Sequence, residues 1–231
     1  MSMSRIGAAL LVLVAASWGS VAPSLAQSAE PQDTRPLSPA QAALFETPHL
    51  RNVSQPETLE YSFVRSGDSG FTDRVEIHVG APHADGTKSV SFDFFTGARH
   101  LPYPAVDNFA GNPLLMMFLE RDVRDMKEQL GLSATYFRNR IREAFVDRAV
   151  VADASFMLDG RALPAREITV RPFADDQRLE RLPSVQGKTY VFVLADGVPG
   201  TLAELRSELP ADPALGAPAF RETLTFVGDK P

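Results

Sequence analysis

Cysteine is absent from this chain of 231 residues. That one absence excludes disulfides, c-type haem attachment, zinc–thiolate sites, thiol nucleophiles and acylation at a mature N-terminal cysteine. Histidine is scarce: His49, His78, His83 and His100 are all there are. They form no HExxH pair and no zinc-like spacing, and no Asp-rich calcium loop accompanies them. His78 stands beside Glu76 on the polar side of a strand pattern, which offers two ligands and no third at a suitable spacing. The other three fall in expected loops, so all four read as solvent-exposed, and neither a metal nor a cofactor is expected. No glycine-rich loop can cradle a phosphate, because Gly97 and Gly111 are isolated. No serine sits in the Gly-flanked strand-to-helix elbow of a hydrolase. Gly67-Asp68-Ser69-Gly70 resembles one superficially, but hairpin turn chemistry explains it.

Apolar runs long enough to cross a bilayer, about 20 residues, are also missing. The longest, from Ile6 to about Ala16, follows the basic start Met1-Ser2-Met3-Ser4-Arg5 and precedes Ser24-Leu25-Ala26. This is the order of a cleavable secretory signal peptide over 1–26, cut after Ala26, with Ser20-Val21-Ala22 as a second site. A periplasmic or secreted protein without a transmembrane segment is therefore expected. Excess positive charge is lacking too: 23 basic against 29 acidic residues give −6, and loss of Arg5 with the leader makes the mature chain about −7. Nucleic acid and anionic membrane surfaces, which require a basic footprint, are disfavoured as partners.

Residues 27–57 read as a flexible lead-in containing Pro31 and Pro36, with a short helix near 38–45 opened by Ser38-Pro39 and closed by Thr47-Pro48. Residues 58–231 read as a single α+β domain. Period-two alternation marks strands at 59–64, 74–79 and 89–94, joined by turns at Ser66–Gly70 and Asp85-Gly86-Thr87. The period then lengthens. Asn112-Pro113 starts a helix in which Leu115, Leu119, Val123, Met126 and Leu130 recur at helical spacing up to Gly131. Its first half, 114–119, is apolar on every side and is expected to be buried all round. A second helix from Ser133 carries Phe137, Ile141, Ala144 and Phe145 on one stripe, with Arg138, Arg142 and Asp147 on the other. Strands return at 150–158, near 168–170, at 188–195, where both faces are apolar, and at 220–227. The expected fold is thus α+β, a curved antiparallel sheet of about seven strands covered by an inserted helical hairpin.

In this arrangement, although in no motif, the chain resembles the periplasmic lipoprotein-carrier half-barrels. What the resemblance implies is a sheet curled around helices that shelters acyl chains; it assigns no residue a role. Fifteen phenylalanines supply either core packing or a pocket lining. The lining candidates are Phe92, Phe94, Leu115, Met116, Leu119, Phe156 and Phe192. Arg138 and Arg142 share a helix face and are a candidate anion clamp; the alternative is electrostatic pairing with Glu120, Asp122, Asp125 and Glu128 of the preceding helix. Asn108, Gly111 and Asn112 at the start of that preceding helix serve either as anion-binding backbone or as ordinary caps. The leading expectation is a non-enzymatic protein that binds or carries a hydrophobic, lipid-like ligand. A protein-interaction or accessory module of the cell envelope is the alternative. A hydrolase would require a concave site with two carboxylates of perturbed pKa.

Overall fold

The computed structural model describes residues 36–231 except 68, 69, 215 and 217. The signal peptide read from residues 1–26, most of the lead-in, and the centre of the Gly67–Gly70 turn lie outside the described residues. Among those described, no helix is long and apolar enough to cross a membrane.

The architecture is α+β: a curved, unclosed antiparallel sheet with a helical hairpin inserted in its sequence. The first four strands are β1 (Glu57–Arg65), β2 (Phe71–Val79), β3 (Lys88–Phe94) and β4 (Val106–Phe109). Helices α2 (Leu114–Leu130) and α3 (Ala134–Asp147) follow, after a short α1 (Pro39–Gln41) that precedes the sheet. The remaining strands are β5 (Val150–Leu158), β6 (Arg161–Val170), β7 (Thr189–Leu194), β8 (Leu202–Leu209) and β9 (Phe220–Lys230), with a one-turn α4 (Pro183–Gln186) before β7. Their spatial order is β4-β3-β2-β1-β9-β8-β7-β6-β5. Two meanders are therefore joined at the centre by β1 and β9, and the helical hairpin links the two outer edges.

The described residues form nine strands where about seven are expected. β8 has no strand signature in the sequence, because Leu202, Leu205 and Leu209, with Ala, Glu and Arg between them, have helical spacing and helical propensity. Here a bulge opposite Val193 and Leu194 takes up one residue, and Leu202 and Leu205 are both fully buried despite being three apart. β4 has only four residues, with Asn108 at φ 55° and a bulge against β3, so no alternation could reveal it. β7 is buried along its length from Tyr190 to Leu194, as a central strand apolar on both faces should be.

The helix ends follow their capping chemistry. Asn112 Oδ1 accepts from the Leu114 N–H at 3.1 Å, while its amide donates to the Gly200 carbonyl at 3.1 Å. Asn112 is thus a buried cap that fastens α2 to the Asp196–Gly200 turn. Only glycine fits at Gly200: its φ is +71°, and a Cβ would meet Leu59 Cδ1 at 2.9 Å. Gly131 closes α2 in the left-handed region at φ 70°. Ser133 caps α3 by accepting from the Tyr136 N–H at 3.1 Å.

From Pro36 onward the expected lead-in is part of the body. Ala40, Ala43, Leu44, Leu50 and Val53 are buried in the core, and the Ser38 hydroxyl donates to the Phe145 carbonyl at 2.7 Å. Asn52 bridges to the same turn that Asn112 holds, donating to the Val198 carbonyl at 2.8 Å and accepting from the Gly200 N–H at 2.9 Å. His49 corrects the expectation that all four histidines are exposed, because it is wholly buried. One ring nitrogen meets the Thr201 hydroxyl and the other lies 3.1 Å from the Leu44 carbonyl. Burial, the largest influence, lowers its pKa from the ordinary 6.5. The folded protein therefore favours neutral His49, so its contribution is complete above about pH 6.5 and declines as the pH falls below that value. Urea denaturation of wild type and His49→Gln from about pH 7.5 down to pH 5 should show a smaller acid-side loss of stability in the variant. Equal slopes would contradict the burial.

Candidate functional site

Leu114, Leu115, Phe118 and Leu119 of α2 are buried in one core with the strand side chains, together with Phe137, Ile141 and Phe145 of α3. Of the lining candidates, Phe92, Phe94, Leu115, Leu119, Phe156 and Phe192 are side chains of this core; Leu119 also borders the groove described below, and the other five are packing residues. Phe145 and Phe192 are in ring contact, 5.6 Å between centroids. The expectation that 114–119 is buried all round fails at Met116, which is 49% exposed. The reason is geometric: one side of α2 meets the sheet and another meets α3, and a four-residue stretch covers every side of a helix, so one position is left facing out.

That position opens onto an apolar groove of about 260 Å³ between α2 and α3. Met116, Leu119 and Val123 of α2 form one wall, Ile141 and Phe145 of α3 the other, and Phe45 from the turn after α1 stands at the end. Phe45 packs edge-on against Phe145 at 5.2 Å and remains 39% exposed. The rim is polar: Gln41, Glu120, Arg138 and Arg142. Four candidates singled out from the sequence, Met116, Leu119, Arg138 and Arg142, therefore do come together, although on the outward side of the hairpin. The two arginines differ. Arg138 is held by Glu120 in a two-pronged pair, with Nε–Oε1 at 2.8 Å and Nη2–Oε2 at 2.7 Å. This is the helix-to-helix pairing offered as the alternative to an anion clamp. Arg142 is exposed and has no ion-pair partner among the described residues.

On the other side of α2 lies a charged cleft of about 350 Å³, which sequence reasoning missed. Glu222 of β9 accepts from both Nη groups of Arg121, one at 3.2 Å and one closer, and from Arg65 of β1 at 2.6 Å. Asp122 accepts from Lys188 Nζ at 3.0 Å and from the Tyr190 hydroxyl. Asp125 completes the set, 3.5 Å from Arg65 and 3.4 Å from Arg121. Burial raises the pKa of Asp125, an effect that Arg121 opposes. Burial likewise pushes the Tyr190 phenol well above its ordinary value, which keeps it a proton donor to Asp122. Three cations face three carboxylates, so every charge is neutralised within the protein, and any ionic ligand would have to displace a partner. The cleft reads as the fastening of α2 to β1, β7 and β9. It could not be found from sequence, since its members come from four elements with no common spacing.

A third group sits on β2 and β3. Glu76 lies opposite Asp93 across the ladder, and His78 Nε2 is 3.0 Å from Asp93 Oδ2, so the third acidic or imidazole partner absent from the sequence pattern is Asp93. Lys230 Nζ, 3.2 Å from Glu76 and 2.6 Å from Glu60, already supplies positive charge there.

No family model matches the chain, and no curated protein matches it. Among solved structures, it is similar to the Mycobacterium tuberculosis lipoprotein LppX, with 10% identity over 78% of this chain and 89% of that one and a TM-score of 0.29. It is also similar to a DUF1329 family protein from Desulfovibrio piger, with 12% identity over 78% of this chain and 87% of that one and a TM-score of 0.25.

Proposed function

We propose that this is an exported, non-enzymatic binding protein for an amphiphile, which seats one apolar chain in the α2–α3 groove and places an anionic head on Arg142. The observation that carries the reading is the adjacent exposure of two large apolar side chains, Met116 and Phe45, at the mouth of an otherwise apolar groove. Clustered exposed apolar surface rimmed by polar groups marks a binding site more often than scattered exposure does. The groove's 260 Å³ falls just below the range of about 300–1,000 Å³ usual for small-molecule pockets. That size supports a single chain and argues against a bulky multi-chain lipid.

Charge decides the head group. Arg138 is occupied by Glu120, whereas Arg142 has no such partner among the described residues and stands on the same rim. A fluorescent medium-chain fatty acid is the probe, with the corresponding fatty alcohol as the neutral control. Saturable binding of both is expected, tighter for the acid. Arg142→Ala should weaken the acid about two- to fivefold, as an exposed ion pair of up to about 1 kcal/mol implies, and leave the alcohol unchanged. Failure of either probe to saturate would overturn the reading.

A further inference from the structure

The two edges of the sheet are built differently. At one edge, β4 is four residues long, is bulged against β3 and has Asn108 in the left-handed region, so it presents almost no regular backbone. These are the devices by which proteins blunt an edge strand. At the other edge, β5 runs nine residues with an unbroken register against β6. It contains no lysine, arginine or proline, and its single charge, Asp153, lies opposite Arg166 of β6. Val150 is 63% exposed, Met157 60% and Val151 36%. A long, regular, apolar edge is the kind that recruits another strand.

We infer that the recruited strand is β5 of a second copy of this chain, paired antiparallel about a two-fold axis at Ala154. The sequence Val150-Val151-Ala152-Asp153-Ala154-Ser155-Phe156-Met157-Leu158 is self-complementary in that register. Val151 of each copy comes opposite Met157 of the other, and Val150 opposite Leu158, so the exposed apolar side chains meet in cross-strand pairs. Asp153 comes opposite Ser155, so no like charges meet.

Hydrogen bonding agrees with this register. Ser155 pairs with Pro164, which has no N–H to give. In an antiparallel ladder that loses no bond, this is a non-bonded pair, and the N–H and C=O of Ser155 point to the free side. By alternation, so do those of Val151, Asp153 and Met157. These residues form the Val151–Met157 and Asp153–Ser155 pairs of the dimer. A closed two-fold contact of this kind is isologous and does not propagate.

The absence of cysteine makes the test direct. In the full mature chain, Ala154→Cys would place two thiols on the axis. Directly opposed residues have Cα atoms about 4.5–5.5 Å apart, within the span a disulfide bridges. Mild oxidation should give a covalent dimer, whereas Asp107→Cys, on the opposite edge, should stay monomeric. Without oxidation, light scattering should report a dimer of the wild type. Val151→Lys combined with Met157→Lys sets lysines opposite one another and should raise the dissociation constant about 100-fold or more, with circular dichroism unchanged because both side chains are exposed. A wild type that stays monomeric at high concentration overturns the inference, even if the edge takes a strand from another protein. Cross-linking no better at 154 than at 107 also overturns it.

Discussion

Glu222→Ala is expected to destabilise the fold by about 3–5 kcal/mol, the usual consequence of leaving a buried charge without its partner. Glu222 is 1% exposed and is the main acceptor for Arg121, itself 5% exposed. Without it, the one ion-pair partner left to Arg121 among the described residues is Asp125 at 3.4 Å, which Arg65 shares at 3.5 Å. Against a typical total of about 5–15 kcal/mol, such a loss is a large fraction of the stability. Replacing both partners, Arg121→Met with Glu222→Leu, should recover most of it: Arg65 and Asp125 still balance each other, and apolar groups of similar volume replace a desolvated pair. Urea denaturation measures both variants. A loss below about 1 kcal/mol, the level of a surface pair, would mean that the cleft is open to solvent. Because the groove lies on the other side of α2, Glu222→Ala protein that remains folded should bind the fatty acid probe with unchanged affinity.

Met116→Asp is expected to have the opposite profile. Met116 is half exposed, so the fold should tolerate the change with little loss of stability. Binding should suffer. Complete burial of an exposed methionine side chain contributes about 1.5–3 kcal/mol, so covering the exposed half of Met116 contributes roughly half of that, and the new carboxylate adds an unfavourable charge beside the chain. Affinity should fall about 10- to 100-fold for the acid and the alcohol alike. That distinguishes this variant from Arg142→Ala, which separates the two ligands. Unchanged affinity would move the binding site away from the groove.

Much of the fold was legible because its signals are local. The stripe Phe137, Ile141, Ala144 and Phe145 is the buried face of α3, and Gly131 and Ser133 mark the break between the helices. β7 announced itself by being apolar on both faces. What was not legible depends on partners distant in sequence. β8 has helical spacing and becomes a strand only because β7 and β9 flank it and a bulge restores its phase. His49 falls in an expected loop and is buried because Thr201 and the Leu44 carbonyl meet its ring. Asp93 joins Glu76 and His78 only through the pairing of β2 with β3.

The candidate site divides along the same line. Met116 and Leu119 are expected as lining from their apolar, adaptable side chains, and Arg138 and Arg142 as a pair from their shared helix face, and the groove contains all four. Its position was not legible. Spacing places residues on a common face of a helix, but whether that face meets the sheet, α3 or solvent is fixed by tertiary packing, and the phenylalanines expected to line a cavity are core instead.

The placement of a ligand chain beside Met116 is tested most directly by NMR of methionine-methyl-labelled protein titrated with the medium-chain fatty acid. Met116 lines the groove, Met126 lines the charged cleft, and Met157 stands on the β5 edge. The three methyls therefore report on three separate surfaces. A saturable shift of Met116, with Met126 and Met157 unmoved, is the predicted result. A shift confined to Met126 or Met157, or none at all at saturating fatty acid, would contradict it.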